Sequence, residues 1–295
     1  MSIRISIIIP TRNRARYLER CLFSLRDAVT NSGLNVEIIV VDGGSTDNTV
    51  DILRRNGAHV SKWVSERDSG VSEAVNKGVE LAGGDALVLF ADDDELIAGG
   101  LGSMVQYLNS HPEVDALMGH AQHFNEDADG TRHSFSAKQP IGRLHYSDFL
   151  KLNEVGWPTP EMSLMRRAAF QRFGKYDLGY RYLGCLDLWL RWARAGAVLE
   201  AVPIVMGPKI FVPASSNRSH LRPLVREYYH ILWRYGGIRP ILRHQWGPEA
   251  RLRRVIGAPI LFAFDYSGFN PWFKVKRGFY EACRCLKKPN EPESS

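Results

Sequence analysis

The chain has 295 residues, enough to bury a substantial core as one large domain or as one domain with appendages. Its 44% hydrophobic and 24% charged residues are the composition of an ordinary soluble globular protein. The formal net charge of +6 is uneven, because residues 215–295 hold 15 Lys and Arg against 6 Asp and Glu, which is +9 and leaves −3 for residues 1–214.

Cysteine usage and hydropathy set the expected compartment. The four cysteines are scattered without paired spacing, which argues against a disulfide framework and a zinc site and fits a reducing cytosol. No stretch approaches the roughly 20 apolar residues that a membrane-spanning helix needs. We therefore expect a cytoplasmic protein, with peripheral contact to the inner face of the cytoplasmic membrane as a further option.

The first part of the chain alternates between strand and helix signals. Apolar, β-branched runs predict strands at residues 3–9, 36–41, 60–64 and 86–91. Apolar residues at helical spacing, with capping and stop signals, predict helices at residues 15–29, from 45 or 46 to about 55, and 71–81. Strands that alternate with helices of this length indicate a parallel sheet with right-handed crossovers.

The pattern is looser in the second part. We predict, in chain order, a strand at residues 116–124, a polar loop at 125–140, helices at 167–173 and 186–195, and a strand at 198–205. From residue 216 the chain is rich in arginine and aromatic residues, and Gly and Pro recur every few residues. Only residues 287–295 have the composition of a disordered end.

The most informative feature is an acidic run at the end of the fourth predicted strand: Asp92, Asp93 and Asp94, followed by Glu95. Adjacent like charges repel, so a folded protein keeps them close only where a cation or many donors offset the repulsion. Carboxylate oxygens suit Mg²⁺ or Mn²⁺, which keep one or two protein carboxylates plus the phosphates of a substrate. The run therefore favours a metal-dependent nucleotide or sugar-nucleotide site; the alternative is a solvated acidic turn.

Other polar loops end the neighbouring predicted strands. Residues 10–13 follow the first strand, 42–47 the second and 66–70 the third. Because the carboxyl ends of parallel strands meet at one edge of a sheet, these loops and the acidic run should converge on one crevice. The chain has no G-x-G-x-x-G after its first strand and no G-x-x-x-x-G-K-[ST], which argues against a dinucleotide-binding fold and a P-loop ATPase.

Four sequence blocks carry a resemblance to a known family: SIIIPTRN at residues 6–13, IVVDGGSTDN at 39–48, SERDSG with AVNKG at 65–78, and FADDDE at 90–95. In order and spacing they resemble family 2 glycosyltransferases with the GT-A fold. The resemblance implies an α/β protein with a Rossmann-like, mostly parallel sheet flanked by helices and a C-terminal helical extension.

The resemblance also implies a division of the chain. It is strong over about the first 110 residues and weaker to about residue 210. We expect a glycosyltransferase domain at residues 1–214, in which residues 1–110 bind the nucleotide sugar and residues 111–214 form the acceptor half. A basic, aromatic-rich helical region follows at residues 215–295.

Seven residues match positions that the family uses for the nucleotide and its sugar: Pro10, Thr11, Arg12, Asp42, Arg67, Asp68 and Asn76. In the family, the aspartate at Asp42 accepts a hydrogen bond from the ring N–H of the base. Taken singly, Asp42 is also an ordinary turn residue, Asn76 an ordinary helix-end residue and Arg67 an ordinary surface charge.

The acidic run matches the family's DxD-type motif. The resemblance implies that Asp92 and Asp93 lie near the ribose and the sugar, and that Asp94 is the metal ligand. The implied cofactor is Mg²⁺ or Mn²⁺, which bridges the donor's diphosphate and offsets the charge that develops on the leaving nucleotide.

The catalytic base is expected in the acceptor half. Inverting members of the family deprotonate the acceptor hydroxyl with a carboxylate, usually in a motif like D-x-D-L-W-L-R. Residues 185–191 read CLDLWLR, so Cys185 stands at the usual position of the base, where a thiol is a poor substitute. Asp187 is therefore the candidate base, and its alternative is an ordinary helix ion pair with Arg191.

Further residues fall on the acceptor side. Trp157, Glu161 and Tyr182 lie where the family shapes its acceptor pocket, although a large aromatic such as Trp157 is more often part of a core. His120 and His123 have a spacing that binds metals on a helix. The predicted strand would point them to opposite faces, so we expect no metal site there.

The basic C-terminal region has two interpretations. Its arginines and aromatics could dock on an anionic membrane beside a lipid-linked acceptor. Alternatively, the region is a helical subdomain that packs on the catalytic domain and leaves its arginines in water. No nucleic-acid partner is expected, because no recognition motif accompanies the charge.

The expected function is an inverting transfer of a sugar from a nucleotide-diphosphate sugar, with UDP sugars favoured, to a hydroxyl of a saccharide or lipid-linked acceptor. Bacterial polysaccharide, lipopolysaccharide or other glycoconjugate synthesis is the expected setting. The alternative is a non-catalytic nucleotide-sugar-binding or scaffold protein on the same fold, motivated by Cys185. A nucleotidyltransferase is disfavoured, because the loop at residues 10–14 does not resemble a triphosphate-binding loop.

Overall fold

The computed structural model describes residues 3–30, 32–97, 99–151, 156, 160–212 and 221–236. Its strands are β1 (Arg4–Thr11), β2 (Asn35–Asp42), β3 (Lys62–Ser65), β4 (Ala86–Leu89), β5 (Ala116–Glu126), β6 (Arg132–Phe135), β7 (Gly142–Leu144), β8 (Ser163–Arg166) and β9 (Leu199–Phe211). Its helices are α1 (Ala15–Thr30), α2 (Thr49–Arg55), α3 (Val71–Leu81), α4 (Gly100–Ser110), α5 (Tyr146–Phe149), α6 (Arg167–Phe173), α7 (Gly184–Arg194) and α8 (Leu221–Gly236). A 3₁₀ turn at Pro160–Met162 precedes β8.

One sheet carries these strands in the order β3-β2-β1-β4-β8-β5-β9-β7, and β6 pairs with β5. The part from β3 to β4 is parallel, with α1, α2 and α3 in its connections, as the alternating pattern predicted. Strand β8 lies between β4 and β5 and is antiparallel to both. The carboxyl ends of β1, β2 and β4 consequently lie side by side at one edge of the sheet.

The second half of the chain differs from prediction in several elements. Helix α4 and strands β7 and β8 were not predicted, and the expected loop at residues 125–140 contains the end of β5 and all of β6. Strand β9 continues past its predicted end at residue 205 and pairs with β5 as far as Phe211. The sequence Gly207-Pro208 hid this extension, since both residues are depleted in strands.

Strand β1 is buried on both faces of the sheet, which explains the three consecutive isoleucines at residues 7–9. Ile5, Ile7 and Ile9 pack on the face covered by α1 and α4. Ile8 packs on the opposite face, together with residues of α3 and α7. Helix α3 lies close to β1 at Gly78, where a Cβ atom would be 2.3 Å from Cγ2 of Ile8.

Helix α8 is the described part of the region that was expected to form a C-terminal extension. Tyr228, Ile231 and Leu232 pack into the core of the domain. The carboxylate of Glu227 accepts hydrogen bonds from the backbone N–H groups of residues 181–183, just before α7. The rest of residues 215–295 is outside the described ranges, so membrane docking stays a prediction.

Within the described ranges, no helix has both the length and the apolar character needed to span a membrane.

We predict that Gly78→Ala destabilises the protein. The new methyl group would overlap the fully buried Ile8, and overpacking of this kind costs about 1–3 kcal/mol. Urea unfolding followed by circular dichroism would measure the change.

The matched control is Gly102→Ala in α4, because no atom lies within 4 Å of a Cβ built there. Alanine in an open helical position should raise the free energy of unfolding by about 0.5–1 kcal/mol. Equal effects of the two substitutions would contradict the close packing of α3 on β1.

Candidate active site

The loops after β1 and β2 bind each other and the acidic run. The Thr11 hydroxyl donates to Oδ2 of Asp92 over 2.7 Å. The backbone N–H of Asn13 donates to Ser45 Oγ, and the Asn13 side-chain oxygen accepts from the N–H of Thr46, each over 2.7 Å. The structure thus brings three loops that are distant in sequence to one edge of the sheet.

Asp42 ends β2 and has no exposed surface. Its carboxylate accepts hydrogen bonds from the N–H and hydroxyl of Ser45 and, over 2.6 Å, from the hydroxyl of Ser65. These bonds fix the turn after β2 against the end of β3. A ring N–H of a base reaches Asp42 only if one of the serines moves, so its nucleotide role stays a prediction.

The loop after β3 lies against the loop after β2. A Cβ atom on Gly43 would be 2.7 Å from Oδ2 of Asp68, so a larger residue there would displace the Asp68 carboxylate. Burial raises the pKa of Asp68. Arg12 and Arg67 are exposed nearby and Pro10 is half-buried, which leaves all three available to a ligand at this edge.

Asn76 serves a different contact. Its side-chain NH₂ donates to the backbone oxygen of Tyr176 over 2.9 Å, and its oxygen accepts from the Tyr176 N–H over 3.0 Å. Both ends of the amide therefore tie α3 to the segment before α7. A donor role for Asn76 stays a prediction.

Arg14 is the counter-ion of the first two carboxylates of the acidic run. Its Nε lies 2.8 Å from Oδ1 of Asp92, and its Nη2 contacts the carboxylate of Asp93. Burial raises the pKa of Asp92, while Arg14 opposes that shift. Charge within the protein thus offsets the repulsion between these neighbours.

Glu95 belongs to a second ionic group with Arg20, Glu126 and Arg132. Arg20 lies 3.1 Å from Glu95 through Nε and 2.6 Å from Glu126 through Nη1. Arg132 contacts Glu95 and lies 3.1 Å from Glu126. This group joins α1, the acidic run and the β5–β6 hairpin.

Asp94 is fully buried, and its counter-ion is Lys209 of β9. Oδ1 of Asp94 accepts from the backbone N–H of Ile210 over 2.9 Å, and Oδ2 lies 3.4 Å from Lys209 Nζ. The same ammonium lies 3.5 Å from Oε2 of Glu161. Burial raises the pKa of Asp94 to about 7; for Lys209, burial acts to lower the pKa, but Asp94 and Glu161 raise it overall. We call Arg14, Arg20, Arg132 and Lys209 the internal cations.

A divalent cation at Asp94 needs a carboxylate oxygen that faces the ligand. Both Asp94 oxygens already face donors, and the side chain has no exposed surface. The described part of the chain also holds no group of three or more His, Cys, Asp or Glu side chains placed to bind a metal. As arranged, these residues do not fit Mg²⁺ or Mn²⁺, and metal binding at Asp94 stays a prediction.

Asp187 lies in the first turn of α7 with no exposed surface. Its Oδ2 accepts from Nε of Arg191 over 2.7 Å, and its Oδ1 accepts from the hydroxyl of Tyr235 in α8 over 2.5 Å. The structure therefore contains the helix ion pair that was the alternative to a catalytic base. Burial, followed by the bond to Asp187, raises the pKa of Tyr235, so its hydroxyl remains a donor.

The other acceptor-side candidates are placed as follows. Glu161 lies beside Lys209, with 30% of its side chain exposed. Tyr182 is half-buried, two residues before the start of α7. Trp157 lies outside the described residues. His120 and His123 lie in strand β5, as predicted.

Sequence reasoning missed the internal cations. Arg14 directly follows the block at residues 6–13 that carries part of the family resemblance, which was its only signal. Arg132 falls in a segment that was predicted to be a loop, and Lys209 follows the predicted end of its strand. Nothing local to either residue indicates a partner in the acidic run.

The family model for "Glycosyl transferase family 2" matches residues 6–174, more than half of the chain. The chain belongs to glycosyl transferase family 2. The match spans the loops after β1, β2 and β3, the acidic run and the 3₁₀ turn that carries Glu161.

Among curated proteins, this family 2 glycosyltransferase is 30% identical over 190 residues to a PGL/p-HBAD biosynthesis glycosyltransferase of Mycobacterium bovis, over 63% of this chain and 68% of that protein. The mannosyltransferase PcManGT of Pyrobaculum calidifontis, solved with GDP-Man and Mn²⁺, has a TM-score of 0.63 at 19% identity, over 98% of this chain and 82% of that one.

S. aureus TarS 1–349, solved with UDP-GlcNAc, has a TM-score of 0.58 at 15% identity, over 78% of this chain and 67% of that one. The match covers only 40% of a longer TarS chain. At these identities the solved structures establish the fold alone, and they confirm the GT-A fold of this family 2 glycosyltransferase.

His123 gives the site a pH-dependent contribution to stability. It pairs with Lys209 across strands β5 and β9 and stacks on Phe211. Burial, followed by Lys209 and His120, lowers its pKa from 6.5 to about 4. Between these values the unfolded state binds more protons, so the contribution is complete above the unfolded pKa and is lost as the pH falls toward the folded one.

We predict that His123→Phe removes this dependence. Between pH 7.5 and pH 5.0, the wild type should lose about 2 kcal/mol of unfolding free energy relative to the variant. Urea unfolding of both proteins at each pH gives the free energies of unfolding. Subtracting the variant from the wild type removes the contributions of Asp92 and Asp94, which are of opposite sign and present in both proteins. Parallel pH profiles would contradict the prediction.

Proposed function

We propose that this chain is an inverting glycosyltransferase that moves a sugar from a nucleotide-diphosphate sugar, most favourably a UDP sugar, to a hydroxyl of a saccharide or lipid-linked acceptor. The proposed setting is the synthesis of a bacterial polysaccharide, lipopolysaccharide or other glycoconjugate. Family membership supports the reaction class, while the donor, the acceptor and the inverting course belong to the proposal.

The observation that carries the proposal is the convergence of the loops after β1, β2 and β3 on the acidic run. This edge offers exposed arginines, Arg12 and Arg67, for an anionic diphosphate. It also offers the partly exposed carboxylate of Asp93, which suits a hydroxyl of a ribose or a sugar. Asp92 is buried between Thr11 and Arg14, so in the proposal it reaches such a hydroxyl only if one of these partners moves.

The proposed chemistry is a single displacement. The acceptor oxygen attacks the anomeric carbon on the face opposite the nucleotide, and the bond from that carbon to the diphosphate oxygen breaks. The electron pair of that bond leaves with the nucleoside diphosphate, and a carboxylate takes the proton of the acceptor hydroxyl.

Two carboxylates are candidates for that base. Asp187 matches the family's motif, but it can meet an acceptor only if α8 moves, because Tyr235 and Arg191 enclose it. Glu161 is partly exposed beside the acidic run and needs no such movement. Kinetics of the Asp187→Asn and Glu161→Gln variants distinguish these two candidates, and a thermal-shift screen tests donor binding.

We predict that a nucleotide-diphosphate sugar raises the melting temperature of the full chain. A ligand present at 100 times its Kd stabilises the folded state by about 2.7 kcal/mol, which is readily detected. Sugar transfer is then measured with that donor over a panel of saccharide and lipid-linked acceptors. Binding without transfer would favour the scaffold alternative, and no binding by any nucleotide sugar would contradict both.

For the base, we predict that Asp187→Asn lowers kcat by about 100-fold or more while the Kd of the donor is unchanged, since general-base catalysis contributes on this scale. Tyr235→Phe is the matched control, because it removes the partner hydroxyl but keeps the carboxylate. A loss confined to Glu161→Gln would instead assign the base to Glu161. Equal loss of thermal stability in Asp187→Asn and Tyr235→Phe, with full activity, would leave Asp187 a structural residue.

A further inference from the structure

Strand β9 is fixed against the acidic run by its backbone. The N–H of Glu95 donates to the backbone oxygen of Pro208 over 3.3 Å, and the N–H of Ile97 donates to that of Met206 over 3.0 Å. Gly207 permits this approach, because a Cβ there would be 2.0 Å from the carbonyl oxygen of Glu95. These main-chain hydrogen bonds therefore fix the position of Lys209, the residue that follows Pro208 in β9.

Lys209 points its ammonium to the carboxylate that the family resemblance assigns to a metal. Only 11% of its side chain is exposed, and its Nζ lies 3.4 Å from Asp94 and 3.5 Å from Glu161. The backbone N–H of the adjacent Ile210 binds the other oxygen of Asp94. A positive charge of the protein thus stands at the point where the sequence predicted Mg²⁺ or Mn²⁺.

This arrangement suits a phosphate better than a second cation. An ammonium has three N–H donors, and the two neighbouring carboxylates occupy at most two of them in this geometry. The remaining donor can bind a phosphate oxygen, for which lysine is a common point-charge partner. A divalent cation at Asp94 would meet the repulsion of the ammonium at a few ångströms.

We infer that Lys209 takes the place of the divalent cation: its ammonium binds the diphosphate of the nucleotide-sugar donor, and the protein binds and uses that donor without added metal. The inference rests on the proposed function. When the bond from the anomeric carbon to the diphosphate oxygen breaks, the electron pair stays on that oxygen, and Lys209 neutralises the charge that develops there. The acceptor oxygen forms the new bond, and its proton passes to the base.

The first test is isothermal titration of the full chain with UDP and with GDP, in EDTA and in MnCl₂. We expect the wild type to bind one of them with Kd values that agree within about threefold in the two buffers. Lys209→Met should weaken binding in EDTA by tenfold or more, and Lys209→Arg should retain most of the affinity because it keeps the charge. Lys175→Met is the matched control, since Lys175 is exposed and paired with Glu80, and it should bind as the wild type does.

A double variant separates ligand binding from support of the fold. Lys209→Met leaves Asp94 buried without its cation, which can impair folding. Asp94→Asn combined with Lys209→Met removes both charges and should restore the melting temperature. If Lys209 binds the diphosphate, nucleotide binding in EDTA stays at least tenfold weaker in the double variant. Recovery of wild-type affinity would overturn the inference, because Lys209 would then serve only to neutralise Asp94.

Metal dependence gives the other decisive outcome. Binding by the wild type that is lost in EDTA and restored by Mn²⁺ would overturn the role of Lys209 and leave the proposed function standing. Absence of binding and of transfer in both buffers would instead reject the proposed function itself, and the inference with it.

Discussion

The negative charge of the acidic run is the constraint on which the rest of the site depends. Four acidic residues stand in sequence after β4, and Asp92 and Asp94 among them are buried. Their repulsion in a medium of low dielectric constant would oppose folding without cations within a few ångströms. The internal cations provide these charges: Arg14 lies in the loop before α1, Arg20 in α1, Arg132 in β6 and Lys209 in β9. One electrostatic demand therefore joins segments that are far apart in the sequence.

The ion pairs between the acidic run and the internal cations contribute more to the specificity of the fold than to its stability. The desolvation of two charges roughly cancels their attraction, whereas the loss of one partner leaves a costly uncompensated charge. The arrangement that keeps every carboxylate of the run paired is thus strongly preferred over shifted ones. In β9 this preference agrees with the main-chain bonds from Glu95 and Ile97, so the register of β9 and the position of Lys209 have two independent causes.

The sequence allowed good prediction where structure follows local pattern. The strands and helices up to α3 and the meeting of their loops at one edge follow from periodicity and from the geometry of parallel sheets. Prediction failed where long-range pairing decides: β8 is only four residues long and is defined by its neighbours β4 and β5. The internal cations were missed for the same reason, since a lysine 115 residues from Asp94 has no local signal of its partner. The sequence motif around Asp187 did not predict that this side chain is enclosed, because the enclosure depends on Tyr235 in α8, 48 residues away.

The neutralised acidic run also explains how an edge rich in carboxylates can accept an anion. A diphosphate beside unpaired aspartates would be repelled, and a divalent cation is one physical solution to that problem. An ammonium held between Asp94 and Glu161 is another, and it needs no ion from solution. The family resemblance assigns Asp94 to the donor side and Glu161 to the acceptor side, so in the proposed mechanism this ammonium lies between the two halves of the reaction. A charge in that position can stabilise the diphosphate as it leaves, close to the side from which the acceptor would approach.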